Sequence, residues 1–133
     1  MSLEVTPDLT AQAERGQVDP ADFVACVQAS LPYAWSVISQ VAGDLHGGGD
    51  SDLGFAEHSV PPPTEAERGQ LLRALASDAI RGSLEQHFGI RLAFQNCHRV
   101  AAFRPEAVGG AVYRDFVSAR SQILNQRPAL RHC

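Results

Sequence analysis

Between residues 90 and 103 the hydrophobic pattern changes period, and that change limits the folds open to the chain. In "IRLAFQNCHRVAAF", Ile90, Leu92, Phe94, Val100 and Ala102 share parity, which is the alternation of a strand. A three-residue reversal at Asn96-Cys97-His98 pairs Phe94 with Val100 and Leu92 with Ala102 on one face. A two-residue turn at Asn96-Cys97 sets Arg99 opposite Phe94 and is the poorer register. A β-hairpin with the 96–98 turn and one long bent strand both remain open. An isolated hairpin is marginal in water, so this segment must pack on helices or pair with a second subunit.

Elsewhere the pattern is helical. "TPDLTAQAERG" (6–16) offers Thr6 as a cap, Pro7 for the first turn and Gly16 as a stop. In "DPADFVACVQASLPYAWSVISQVAGDL" (19–45) a stripe runs through Phe23, Val27, Leu31, Ala34, Ile38, Val41 and Leu45. Pro32 lies inside it, and because the stripe keeps its phase one kinked helix is expected, bent near Ser30. "TEAERGQLLRALASDAIRGSLEQHFG" (64–89) reads as one long helix with a capping box at Thr64 and Glu67 and a stop at Gly89. Its expected buried face joins Leu71, Leu72, Leu75 and Ala76 to Ala79, Ile80, Ser83, Leu84 and Phe88. The small residues Ala76, Ala79, Gly82 and Ser83 would let another helix come close. "AVYRDFVSARSQILNQ" (111–126) returns to helical period through Val112, Phe116, Ala119 and Ile123, with a second row through Tyr113, Val117, Arg120 and Leu124.

The expected fold class is therefore α+β, mainly α: a compact helical domain with one β-hairpin or bent strand at about residues 90–103. A chain of 133 residues suits a single domain, 1–133. Residues 46–63, "HGGGDSDLGFAEHSVPPP", form a mobile Gly/Pro-rich loop and a candidate lid. Residues 128–133 are expected to be a tail. At 44% hydrophobic and 20% charged residues the composition is that of a folded chain. No apolar run approaches the roughly 20 residues of a membrane span, and "MSLEVTPDLT" has neither the basic start nor the apolar core of a signal peptide. The expected location is the cytoplasm.

The charge is unevenly spread. Residues 1–63 carry one Arg against nine acids, giving −8, and residues 64–133 carry ten Arg against six acids, giving +4. The acidic half is expected to pack beside the basic one. A basic face for a phosphate or acidic partner is the functional counterpart, but an overall pI of about 5.6 argues against non-specific DNA binding. All 11 basic side chains are Arg, which reads as GC-rich coding.

Reactive side chains gather at Asn96-Cys97-His98-Arg99. Cys97 and His98 on an extended strand would point to opposite faces; in a turn they would converge, with His132 and Cys133 as further ligands for a tetrahedral zinc. The spacing matches no zinc-finger pattern, so no metal and no cofactor is expected. Arg99 and His98 give Cys97 the electropositive setting of a reactive thiol, and a Cys97–Cys133 disulfide would need the tail to fold back. Cys26 reads as core. Asp44, His46, Asp50 and Asp52 lack both the rhythm of a calcium loop and the Gly-Lys-Ser/Thr of a phosphate loop. His87 suits a helix C-terminus. Tyr33 and Trp35 complete the ligand-binding candidates with Asn96, Cys97, His98 and Arg99. Catalytic residues are unassigned, since the chain carries no Ser-His-Asp order, paired-carboxylate spacing or dinucleotide fingerprint.

The run "RGQLLRALASDAIRGSLEQHFGIRLAFQNCHRVAAF", with "SLPYAW" before it and "ILNQRP" and a terminal Cys after it, resembles a family of small uncharacterised actinobacterial proteins. The resemblance covers nearly the whole chain and implies a cytoplasmic bacterial protein, and it carries no activity or site residue over. The leading expectation is a non-enzymatic interaction or regulatory protein, homodimeric, with no membrane or nucleic-acid partner. The alternative is a small-ligand-binding protein or enzyme with a thiol- or metal-dependent pocket near the 96–99 turn.

Overall fold

The computed structural model describes residues 2–47, 54–95 and 98–126. Three helices open the chain: α1 (Pro7–Glu14), α2 (Pro20–Ser30) and α3 (Pro32–His46). They are followed by β1 (Phe55–His58), α4 (Glu65–Ala76), α5 (Asp78–Phe88), β2 (Arg91–Gln95) and β3 (Arg99–Phe103). A 3-10 turn at Pro105–Ala107 leads to α6 (Ala111–Phe116) and α7 (Ala119–Leu124). The fold is α+β and mainly α, as the periodicities require. Among the described residues no helix is long and apolar enough to cross a membrane.

The hairpin forms in the expected register, with Phe94 opposite Val100 and Leu92 opposite Ala102. It is not the only β structure. β1, inside the segment expected to be a loop, pairs antiparallel with β3, and the sheet order is β1-β3-β2. Its brief alternation, Phe55 and Glu57 against Ala56 and His58, becomes a strand only because β3 offers a free edge. The rest of the expected lid, residues 48–53, lies outside the described residues.

The expected kinked helix is two helices. Leu31 precedes Pro32, which disfavours helical backbone at that position, and Leu31 sits at φ −127°, ψ 62°. Its buried side chain cannot cap α3. Gln70 of α4 caps it instead: its Oε1 accepts from the N–H groups of Tyr33 (2.7 Å) and Ala34 (3.2 Å). The stripe survives the break, because Val27, Leu31, Ala34, Ile38, Val41 and Leu45 are all buried.

The long helix over 64–89 is also two. Ser77 takes extended backbone and its hydroxyl accepts from Ile80 N–H at 3.2 Å, starting α5. The phase therefore resets at Ser77. Leu71, Ala74 and Leu75 are buried on α4, and Ile80 and Leu84 on α5, whereas Leu72, Ala76 and Ala79 are exposed. Gly89 closes α5 at φ +68°, a conformation that favours glycine. Ser118 likewise divides the last expected helix, its hydroxyl accepting from Ser121 N–H. Of its two expected apolar rows only Phe116 is buried.

Both faces of the sheet are covered. Leu92, Val100 and Ala102 join the main core with α2 to α5. Ala93, Ala101 and Phe103 turn the other way and pack on Phe116 of α6, with Phe55 and Tyr113 at the edge. The near-continuous apolar run of β3 is the pattern of a strand buried on both sides.

Candidate functional site

A polar cluster is built where the hairpin reversal meets α7. Gln95, the last residue of β2, faces away from Phe94 and is buried. Its Nε2 donates to Phe116 O and to Ser121 Oγ (2.8 Å), and its Oε1 accepts from Arg99 (3.1 Å) and Asn125 Nδ2 (3.1 Å). All four hydrogen-bonding capacities of the amide are thus used. Arg99, opposite Gln95 in the ladder, also donates through Nε to Glu57 Oε2 at 2.7 Å and lays its guanidinium 4.7 Å from the Phe116 ring centroid. This pair joins the acidic and basic halves of the chain across the β1–β3 ladder.

His98 and Arg99 come together at a pocket of about 200 Å³, lined also by Glu57, Ser59 and Asn125. His98 is buried there. Asn96 and Cys97 lie outside the described residues, as do His132 and Cys133. Tyr33 and Trp35 do not line this pocket. Trp35 packs its ring against His87 (centroids 5.6 Å apart) and Phe88 (5.2 Å). Tyr33 stands beside α4, where burial and then the Glu67 charge push its phenol pKa above the ordinary value. Cys26 is buried, with Sγ 3.5 Å from Glu4 O. His46 reaches across to Phe88 O through Nε2 at 2.8 Å. Among the described residues no group of three or more His, Cys, Asp or Glu is set to hold a metal ion.

Sequence reasoning missed Gln95, Glu57, Ser121 and Asn125. Only Gln95 carried a signal, since strand parity aligns it with Arg99, Ala101 and Phe103. The other three are brought in by tertiary contact.

A second concavity, of about 400 Å³, follows the free edge of β2 between α5 and α6. Its floor includes Leu92, whose N–H donates to Glu85 Oε2 at 2.8 Å.

A KH-labelled family model, described as NucS shadow ORF, matches residues 1–133. The chain belongs to this family. The description names a reading frame and states no activity, ligand or partner. The KH module known for nucleic-acid binding clamps backbone nucleotides with a G-x-x-G loop, and this member's sequence contains no G-x-x-G. No curated protein and no solved structure matches the chain.

Proposed function

We propose that this member of the NucS shadow ORF family is a non-enzymatic interaction module that works as a homodimer. The observation that carries the reading is the apolar surface left on the α6–α7 segment. Val117, Ile123 and Leu124 are 52%, 68% and 65% exposed, and a second copy would remove them from water. The commitment of Glu57, Gln95 and Arg99 to one another favours a structural role over a catalytic one. Light scattering at micromolar concentration is the test. A dimer mass is expected, falling to a monomer with unchanged circular dichroism in an Ile123→Asp/Leu124→Asp variant. A monomeric parent protein would refute the dimer.

The order strand–helix–helix–strand–strand–helix over residues 55–116 is in keeping with the KH part of the family label. Nucleic acid is nevertheless not proposed as a partner, because the glycine clamp is missing and Asp78 stands at the α4–α5 junction. We read the protein further as cytoplasmic and actinobacterial, in keeping with its exclusive use of Arg.

The pocket at His98 and Arg99 favours a second reading, a small polar ligand bound at the hairpin reversal. At about 200 Å³ it falls below the roughly 300 Å³ at which ligand pockets usually begin, so this reading ranks second. It requires that a thermal-shift screen of small carboxylic acids find a stabiliser whose effect is lost in His98→Ala or Cys97→Ala while the fold persists.

A further inference from the structure

The geometry points to a strand-addition site on the free edge of β2, taking an extended acidic segment of a partner protein. It rests on reading the chain as an interaction module and names the chemistry of the partner. Among the described residues β2 is an edge strand, paired with β3 on one side only. In an antiparallel ladder alternate residues turn their N–H and C=O groups toward the neighbour and away from it. Leu92 is of the outward kind, since its N–H goes to the Glu85 carboxylate at 2.8 Å. Phe94, two residues on, turns its N–H and C=O to the same side.

The groove of about 400 Å³ lies along this edge. It is lined by Arg91 to Phe94 of β2 and by Arg81 and Glu85 of α5. An extended chain laid there would gain backbone hydrogen bonds at Leu92 and Phe94, the recognition mode of strand addition. The charges favour an acidic occupant. Arg81 is held by Asp78 (2.6 Å) and by Leu75 O (2.9 Å). Arg91 is exposed and forms no ion pair among the described residues. Glu85 already shows that the Leu92 N–H takes an anionic oxygen, so Glu85 is the competitor that an incoming segment displaces.

Fluorescence anisotropy of the full chain with a labelled eight-residue peptide of alternating Glu and Val tests the inference. Binding is expected, weakened by about tenfold or more, some 1.4 kcal/mol, when alternate residues of the peptide are N-methylated or when Lys replaces Glu. Glu85→Ala should tighten binding and Arg91→Glu should weaken it. Glu85→Gln keeps the side-chain length and checks that the helix is intact. Amide exchange at Phe94 should slow when the peptide is added. Equal binding of the N-methylated peptide overturns the inference, as does a single-stranded RNA octamer that competes for the groove, or Phe94 protection that rises with protein concentration alone. Absence of binding even to Glu85→Ala also overturns it. Concentration-dependent Phe94 protection would assign the β2 edge to the dimer itself; the other results leave the mass read by light scattering unchanged, so through them this site and the dimer stand or fall separately.

Discussion

Gln95 is the residue on which the C-terminal helices depend. Its amide donates to Phe116 and Ser121 and accepts from Arg99 and Asn125, so truncation strands several buried polar groups at once. Gln95→Ala should cost about 2–3 kcal/mol, the penalty of leaving buried partners unsatisfied. Urea unfolding would read the loss, and faster amide exchange in α7 would locate it; a change under about 0.5 kcal/mol would mean that water replaces the amide. Strand parity predicts which way Gln95 points but not what it meets, since Ser121 and Asn125 come from a distant helix. Tyr33 gives a second prediction. Its phenol pKa lies above the ordinary 10.0, through burial first and the Glu67 charge second. The folded chain holds the proton that the unfolded chain releases near pH 10, so this contribution is intact below pH 10 and lost as pH rises through the folded pKa. Tyr33→Phe should flatten the alkaline arm of a stability-versus-pH curve. An unchanged arm would assign the alkaline loss to other groups.

At the scale of elements, single residues decide where helices stop. Leu31 breaks α2 from α3 because Pro32 follows it, and the proline was plain in the sequence. Sequence phase already carried the apolar stripe across Pro32; what it could not reveal is that two helices, not one kinked helix, share that buried face, because tertiary packing aligns them. Ser77 is the opposite case. It has no proline behind it and lies inside a good helical pattern, yet it leaves the helix to cap α5. Ser77→Ala should destabilise the protein by about 1 kcal/mol, and Ser77→Gly by only a few tenths. Thermal melts of the two variants compare them directly; no loss in Ser77→Ala would show that the hydroxyl contributes nothing as a cap. β1 is the element least legible from sequence. Four residues between a glycine-rich and a proline-rich stretch have little strand preference of their own, and β3 supplies the ladder that holds them.

For the molecule as a whole, the sheet joins two hydrophobic cores. Phe103, fully buried, stacks on Phe55 with ring centroids 5.4 Å apart and meets Tyr113 and Phe116 edge-on. Trp35 lies in the other layer, against Phe88. Phe103→Ala should cost about 3–5 kcal/mol, a large share of the roughly 5–15 kcal/mol that holds a domain. If the two layers form one cooperative unit, Trp35 fluorescence and far-ultraviolet circular dichroism should lose the same amount and keep a common midpoint. Separate midpoints would make α6 and α7 an independent layer. The sequence by itself determined the α+β class, the register a hairpin would take and most helix starts, because periodicity, caps and prolines act over a few residues. Only the tertiary structure decided that β1 exists, that the second sheet face is covered, and that Gln95 and Arg99 share one hydrogen-bond network with Ser121 and Asn125. Each of these depends on surfaces that meet from distant parts of the chain, where local propensity carries no information about the partner.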